Sequence, residues 1–220
     1  MSSWPTLHPR LANASVLDEL REVWQRERKL RIEEAFAPGL AEEAARTALA
    51  DSFEFYQMQQ GTRFVYWRQR HAFPSASGAS IPILQRIEQL VMNDIPGLVS
   101  AITERPHHAP NLPDIQFNLL RKGSYLDAHS DHLPNRLVGY VVGLTREQWP
   151  PERGGHLQFL QPDQRTPTQS WAPGFDSLDL LNFFPVMTWH HIPVMQDAHN
   201  RLTLNGWLSG MSDQAPGGYV

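Results

Sequence analysis

The sequence contains no cysteine, and this absence excludes several classes of site. Without thiolates the chain cannot hold a disulfide framework, a cysteine-ligated zinc or iron–sulfur centre, or a cysteine nucleophile. Any metal binding or catalysis must therefore use nitrogen and oxygen ligands. Lysine is also scarce, with two lysines against seventeen arginines. We attribute that excess of arginine to a GC-rich genome rather than to function.

A strong net charge and a long apolar run are missing as well. Nineteen basic and twenty-three acidic residues give a formal net charge of −4, which provides no positive field toward nucleic acid or an anionic membrane. No apolar run approaches the roughly 18 residues of a membrane span. Residues 1–10 lack the basic-then-apolar pattern of a signal peptide. We expect a cytoplasmic protein with no nucleic-acid or membrane partner, and the sequence carries no indication of an oligomeric state.

The order of helical and strand patterns predicts one α+β domain over residues 1–220. Apolar residues at helical spacing predict helices over 15–38, with Ser15 as N-cap, and over 40–50, 81–93 and 98–103. Short apolar segments between turn residues predict strands over 53–56, 62–70, 115–120, 125–128, 137–144, 156–160, 178–184 and 202–208. We expect residues 1–110 to be mainly helical support with early strands, 111–210 to form a β core, and 211–220 to be a tail.

His129 and Asp131 form the most informative pair in the sequence. Residues two apart in a strand point to the same face, so an imidazole and a carboxylate would lie side by side. They would supply two-thirds of the two-histidine, one-carboxylate triad that holds Fe(II) and leaves three positions open. The third ligand must come from a neighbouring strand, and the candidates are His190 and His191.

Further features surround this pair in a fixed order along the chain. They are Asn118, residues 123–128 (GSYLDA), Arg136, residues 154–159 (GGHLQF), 178–184 (LDLLNFF), 189–194 (WHHIPV) and 201–207 (RLTLNGW). In this order the segment 116–208 resembles the iron(II)- and 2-oxoglutarate-dependent dioxygenases, in particular their prolyl 4-hydroxylase-like branch. The resemblance implies a double-stranded β-helix, a jelly-roll or cupin-like core, with supporting N-terminal helices.

The resemblance also implies a role for each site residue. His129, Asp131 and His190 would be the catalytic metal ligands. His190 is favoured over His191 because Ile192 then falls at the position of the family valine, although the spacing to Arg201 leaves both candidates open.

At the other end of the cosubstrate, Arg201 would pair bidentately with the distal carboxylate of 2-oxoglutarate. Thr203, two residues on in the same strand, would donate a hydrogen bond to that carboxylate.

Three positions depart from the family pattern around the cosubstrate. Leu120 replaces a tyrosine that often contacts it, Gly143 falls at or near a second tyrosine, and Thr145 replaces an asparagine. Tyr125 or Tyr140 would compensate, and we predict Tyr125 as a cosubstrate contact.

The function implied by the resemblance is that of a hydroxylase using Fe(II), 2-oxoglutarate and O2, with ascorbate as a candidate additional reductant. The substrate would be a proline-containing peptide or protein, or a small amino-acid-like molecule, and the products would include succinate and CO2. Asp131 favours hydroxylation or desaturation over halogenation. Two alternatives are a metal- and 2-oxoglutarate-binding sensor with little turnover and a cupin-like metal isomerase or hydrolase, which would not need Arg201 and Thr203.

Substrate specificity is expected to depend on residues outside these motifs. The loops at 73–80 and 146–153 are candidate specificity loops. Tyr66, Trp67 and Arg68 are candidates to line the substrate entrance. Four arginines are candidates to bind a substrate carboxylate, and no sequence pattern places them at the pocket: Arg63, Arg68, Arg70 and Arg121.

Overall fold

The computed structural model describes residues 4–77, 81–109, 115–133, 136–183 and 187–210. Its helices are α1 (Ala14–Glu27), α2 (Leu40–Leu49), α3 (Pro74–Ser77), α4 (Pro82–Gln89) and α5 (Ile95–Thr103), with a π-helical turn, Leu90–Asp94, between α4 and α5. Its strands are β1 (Lys29–Ile32), β2 (Glu54–Met58), β3 (Phe64–His71), β4 (His107–His108), β5 (Ile115–Leu120), β6 (Tyr125–His129), β7 (Val138–Leu144), β8 (Leu157–Leu160), β9 (Pro167–Trp171), β10 (Phe175–Asn182), β11 (His190–Ile192) and β12 (Arg201–Gly210). None of the described helices has the length and apolarity that spanning a bilayer requires.

The strands form an antiparallel sheet that curls on itself. Its order is β1-β10-β7-β12-β5-β3-β6-β11-β8-β9, with β2 beside β3 and β4 beside β12. Strand β3 makes the turn between the two walls of the curled sheet, because its C-terminal part pairs with β5 and its first two residues pair with β6. Strands from the N-terminal half therefore complete the same sheet as the later strands.

Alternation along the strands divides an outer apolar core from the interior of the curled sheet. Leu202 and Leu204 of β12 pack with the helices in the larger hydrophobic cluster. Because neighbouring residues in a strand face opposite sides, Arg201, Thr203 and Asn205 face the interior. A second apolar cluster, made of residues from β8, β10 and β11 with their neighbours, lines that interior. The interior is thus partly polar along β12 and apolar elsewhere.

The predicted helix over 15–38 is wrong in its second half. Helix α1 ends at Glu27, and Arg28 has a φ of 56°, the left-handed conformation that often ends helices. The chain then forms β1, where Leu30 and Ile32 are buried and pair with β10. The N-cap is Asn13 rather than Ser15, because the Asn13 side chain accepts a hydrogen bond from the Ser15 amide. The segment 29–32 is a strand and not a helix because it pairs with β10, which lies about 150 residues later in the chain. Local periodicity carries no information about such a distant partner.

The other predicted elements are present with shifts at their ends. All six strands predicted after residue 110 form, as do the two early strands and the helix over 40–50. The predictions at 81–93 and 98–103 correspond to α4 and α5, which the π-helical turn joins. Four strands were not predicted: β1, which fell in the predicted first helix, and β4, β9 and β11. The loop predicted at 73–80 begins with the short α3, while its residues 78–80 and the predicted tail at 211–220 lie outside the described residues.

Candidate active site

His129, Asp131 and His190 bring three metal-ligating groups together inside the curled sheet. One ligand atom from each lies within 4.8 Å of the others. The Asp131 Oδ2 atom is 3.7 Å from Nε2 of His129 and 3.6 Å from Nε2 of His190. The two histidines are direct partners across β6 and β11. Strand pairing therefore assembles the predicted donor set from segments about 60 residues apart in the chain.

The hydrogen bonds of both histidines fix which ring nitrogen faces the site. Nδ1 of His129 lies 2.7 Å from the Asp127 carbonyl oxygen, and Nδ1 of His190 lies 2.9 Å from the Thr188 carbonyl oxygen. Because a carbonyl oxygen only accepts, each Nδ1 donates, and each Nε2 keeps its lone pair toward Asp131. Metal-ligating histidines typically have this arrangement, so the residues present fit a divalent metal.

Asp131 reaches the site through a turn rather than along a strand. Strand β6 ends at His129, and Asp131 has a φ of 51°. The strand geometry assumed in the sequence argument is therefore wrong, although the two side chains do meet. A non-glycine residue in the left-handed region is uncommon and strained by about 1–2 kcal/mol, a feature that often occurs at functional sites.

Electrostatics favour the protonation states that bind a metal. Burial alone would raise the pKa of Asp131, but its contacts with His190, His129 and Arg136 outweigh burial and lower it to about 2. Burial, followed by the neighbouring His190, lowers the pKa of His129. The guanidinium of Arg136 lies 3.8 Å from Asp131 and 3.7 Å above the Trp207 ring. A charged carboxylate and a neutral imidazole are the states that coordinate divalent cations.

His191 lies outside this group. Its Nε2 contacts the side-chain oxygen of Gln158 at 2.8 Å. Since adjacent residues in a strand face opposite sides, only one of the two histidines can face Asp131. The structure brings His190 to the site and not His191.

Arg201 is buried in the interior with an unsatisfied donor. Arg201 is 4% exposed, and its Nε has no hydrogen-bond partner among the described residues. The same is true of Thr203 Oγ1 and Asn205 Oδ1 on the same face of β12. Burial lowers the pKa of Arg201 to about 10, although Asp179 opposes this, so the guanidinium is charged at neutral pH. A buried cation with unmet hydrogen bonds favours an anionic ligand, and these residues fit a carboxylate of 2-oxoglutarate.

An ion pair lies beside Arg201 in the interior. Arg31 of β1 binds Asp179 of β10 through two hydrogen bonds of 2.6 and 2.7 Å, and it also donates to the Ala172 carbonyl. Burial raises the pKa of Asp179, while Arg31 and Arg201 lower it. Asp179 therefore provides a negative charge between two buried guanidinium groups.

A cavity of about 920 Å³ is lined by part of this site. The candidate metal ligands His129 and Asp131 line it together with Arg201 and Asn205. Such a volume suits a small ligand together with a cosubstrate. Asn205 and Gln116, which also lines the cavity, were missed by the sequence analysis. The alternation of Arg201 and Thr203 would have indicated Asn205 as the next inward residue.

The structure does not bring the predicted Tyr125 to the cavity. Tyr125 pairs with Val65 of β3 and is not among the lining residues. Tyr66 and Tyr140 do line the cavity. Burial, together with the Tyr56 hydroxyl, raises the pKa of Tyr66, which keeps its hydroxyl protonated.

The departure at Gly143 has a steric explanation. A Cβ atom at this position would collide with the Ser177 hydroxyl and with the backbone of Gly174. Both groups come from β10 and the segment that leads into it. The sheet therefore has no room for a tyrosine side chain at position 143.

Comparisons with known proteins agree with this geometry. Residues 115–209 match the family model of the 2OG-Fe(II) oxygenase superfamily. Among solved structures, a prolyl-4-hydroxylase from Pseudomonas putida is 17% identical, with a TM-score of 0.63, over 89% of this chain and 100% of that chain. A prolyl hydroxylase from Trichoplax adhaerens, solved with a peptide of hypoxia inducible factor, is 12% identical, with a TM-score of 0.63, over 89% and 90% of the two chains.

A third solved structure is a non-heme alpha-ketoglutarate-dependent epimerase, SnoN, from nogalamycin biosynthesis. It is 13% identical, with a TM-score of 0.62, over 90% of this chain and 82% of that chain. No curated protein matches this chain. The structural likeness confirms the double-stranded β-helix fold, and the family match confirms the resemblance seen in the sequence. The segment that matches the family model, residues 115–209, contains the triad and Arg201.

Proposed function

We propose that this chain is an Fe(II)- and 2-oxoglutarate-dependent hydroxylase. It acts on an unactivated C–H bond of a prolyl residue or an amino-acid-like substrate and releases succinate and CO2. One observation supports this most strongly: a small cavity lined by His129, Asp131 and His190 is also lined by Arg201, whose buried Nε has no hydrogen-bond partner among the described residues.

The three donors occupy one side of the metal position. The Nδ1–H bonds to the Asp127 and Thr188 carbonyls keep both imidazoles oriented with Nε2 toward the metal. Bound iron supplies the activation of O2 that hydroxylation of an unactivated C–H bond requires. His129, Asp131 and His190 would hold the iron from the protein side, and the cosubstrate and O2 would bind it from the cavity.

The interior face of β12 selects and orients the cosubstrate. Arg201 binds the distal carboxylate with its planar fork, and Thr203 donates a hydroxyl hydrogen bond to it. With the cosubstrate bound, the positive charges of Arg31 and Arg201 are neutralised by two carboxylates, that of Asp179 and the distal carboxylate of 2-oxoglutarate. The apolar cluster around the site excludes bulk water from the reacting centre.

Prolyl hydroxylases among the similar structures support a prolyl or amino-acid-like substrate, while the epimerase has a different outcome on the same fold. The mass of the product separates these reactions. Hydroxylation adds one oxygen atom, desaturation removes two hydrogen atoms, and epimerisation leaves the mass unchanged.

Anaerobic titration with Fe(II) and 2-oxoglutarate tests the proposal first. We expect a visible metal-to-ligand charge-transfer band in the unsubstituted protein and none in a His129→Ala variant. In air, succinate release is then screened over free amino acids and proline-containing peptides, with and without ascorbate. The absence of both the band and succinate would reject the proposal. A band without succinate above the His129→Ala background would favour a binding or sensor protein.

A further inference from the structure

Two of the four candidate arginines line the cavity. Strand β3 turns Tyr66, Arg68 and Arg70 toward it, in register with Asn118 and Gln116 of β5. These side chains form a polar wall, which we call the β3 wall and define by Tyr66, Arg68 and Arg70. The wall adjoins Thr203, because Asn118 pairs with Thr203 on its other side.

The other two arginines are engaged elsewhere. Arg63 hydrogen-bonds Asp127 at 2.7 Å and is largely exposed. The guanidinium of Arg121 lies 4.8 Å from the Trp67 ring centre. Neither arginine is among the cavity-lining residues. Of the four candidate arginines, two therefore line the cavity, and the other two serve as matched controls for substitution experiments.

The charged side chains among the described residues that line the cavity are mostly arginines. Asp131 is the only carboxylate among them, whereas four residues are arginines: Arg68, Arg70, Arg136 and Arg201. Of these four, Arg68 and Arg201 each have a buried Nε without a hydrogen bond to a described residue. The cosubstrate would occupy Arg201, so Arg68 remains to bind a substrate anion.

Arg68 is held in place to meet such an anion. Its guanidinium stacks 3.8 Å from the centre of the Tyr56 ring, and its buried Nε makes no hydrogen bond to a described residue. Its ion-pair partner Glu54, at 3.5 Å, is exposed, and exposed pairs contribute little. A stacked guanidinium loses little further entropy when it binds a carboxylate bidentately. Arg70, two residues on, adds a second charge on the same face.

We propose that the prime substrate is a small free carboxylic acid with an apolar or aromatic body, and that its carboxylate binds Arg68 and Arg70. This inference rests on the proposed function and names the substrate class for the same site. The remaining walls suit the body of such a molecule, because they are largely aromatic and apolar: Tyr56, Phe64, Leu126, Trp189 and Trp207. A cavity of about 920 Å³ has room for this acid beside the cosubstrate.

Matched acids and amides test the anion site. Isothermal titration calorimetry is run anaerobically on protein loaded with Fe(II) and saturating 2-oxoglutarate, so that Arg201 is already occupied. The probes are N-acetyl-L-proline against N-acetyl-L-prolinamide, and 3-phenylpropanoate against 3-phenylpropanamide. We expect the acid of at least one pair to bind about tenfold more tightly than its amide. The preference should disappear in Arg68→Met/Arg70→Met and persist in Arg63→Met/Arg121→Met.

The charge-transfer band of each variant shows that its fold and cosubstrate site are intact. If the double variant lacks the band, Arg68→Gln and Arg68→Lys are compared instead, and only the lysine variant should retain part of the preference. Equal binding of acid and amide in both pairs, including no binding of either, would overturn the inference, as would an unchanged preference in the Arg68 variants. A missing band in the unsubstituted protein would contradict the proposed function, whereas a normal band without acid preference would contradict the anion site alone.

Discussion

His129 and His190 face each other across the pairing of β6 and β11, with ring centres 4.3 Å apart. Each ring is anchored by a hydrogen bond from its Nδ1 to the carbonyl oxygen two residues earlier in the chain. The two Nε2 atoms therefore point at the same carboxylate, that of Asp131. This symmetry makes the histidines pre-oriented ligands, since little reorganisation is needed when a metal binds.

Separate substitution of His190 and His191 should show which of the two adjacent histidines is the metal ligand. We expect His190→Ala to weaken Mn(II) or Fe(II) binding by at least about 100-fold, because one of three protein donors is lost. His191→Ala should bind within a few-fold of the unsubstituted protein, since its ring contacts Gln158 instead. Metal titration followed by calorimetry measures both. Loss of binding in His191→Ala with retention in His190→Ala would refute the assignment.

Replacement of Arg201 should affect the cosubstrate and leave the metal in place. We expect Arg201→Met to raise the Kd for 2-oxoglutarate by about 10- to 100-fold, because a charge-assisted pair contributes about 1.5–3 kcal/mol. Metal affinity should be unchanged, since Arg201 is not among the three donors. Titration of the charge-transfer band gives both constants. An unchanged Kd for 2-oxoglutarate would show that the distal carboxylate binds elsewhere.

The Arg31–Asp179 pair should control stability in a pH-dependent way. Removing Arg31 leaves Asp179, 3% exposed, without its hydrogen-bonded ion-pair partner, so we expect Arg31→Met to lose about 3–5 kcal/mol of unfolding free energy near neutral pH. Burial already raises the pKa of Asp179, and loss of Arg31 raises it further. The folded variant then binds a proton that the unfolded chain does not, so its stability increases as the pH falls toward the unfolded value of about 3.9.

Urea unfolding at about pH 7.5 and about pH 5.5 checks this sign. The difference between the unsubstituted protein and Arg31→Met should shrink at the lower pH. Arg31→Met/Asp179→Asn serves as the control, because it lacks the titrating carboxylate and should show a pH-independent difference. A gap that widens on acidification would contradict the burial of Asp179.

Metal should stabilise the fold through the triad. A ligand at 100 times its Kd stabilises the native state by about 2.7 kcal/mol, so we expect Mn(II) to raise the Tm of chelator-treated protein by several degrees. The shift should vanish in Asp131→Ala. Differential scanning fluorimetry measures it, with Mg(II) as a comparison for a harder cation. The same shift in Asp131→Ala would place the stabilising metal at a different site.

Most of the candidate site could be predicted from the sequence because its donors stand in short motifs. Arg201 and Thr203 share one strand face, so strand alternation relates them. His129 and Asp131 are only two residues apart, so they are neighbours in the chain even though a turn, and not a strand, brings Asp131 to His129. The strands after residue 110 were also predictable, because turn residues separate their apolar segments. These relations depend on neighbours in the chain.

Other features depended on partners distant in the chain. The segment at β1 became a strand because β10 offered backbone hydrogen bonds and burial for Leu30 and Ile32. Tyr125 has the right residue type for a cosubstrate contact, but its pairing with Val65 leaves it outside the cavity lining.

The sequence by itself determined the chemistry of this protein. It supplied nitrogen and oxygen groups for a candidate metal site, an arginine suited to bind a carboxylate and a β-rich C-terminal half, because residue types and short spacings are local properties. The tertiary structure alone decided which of His190 and His191 meets Asp131, and which of the four arginines reach the cavity. Strand register set both outcomes, because a shift of one residue moves every side chain of a strand to its other face.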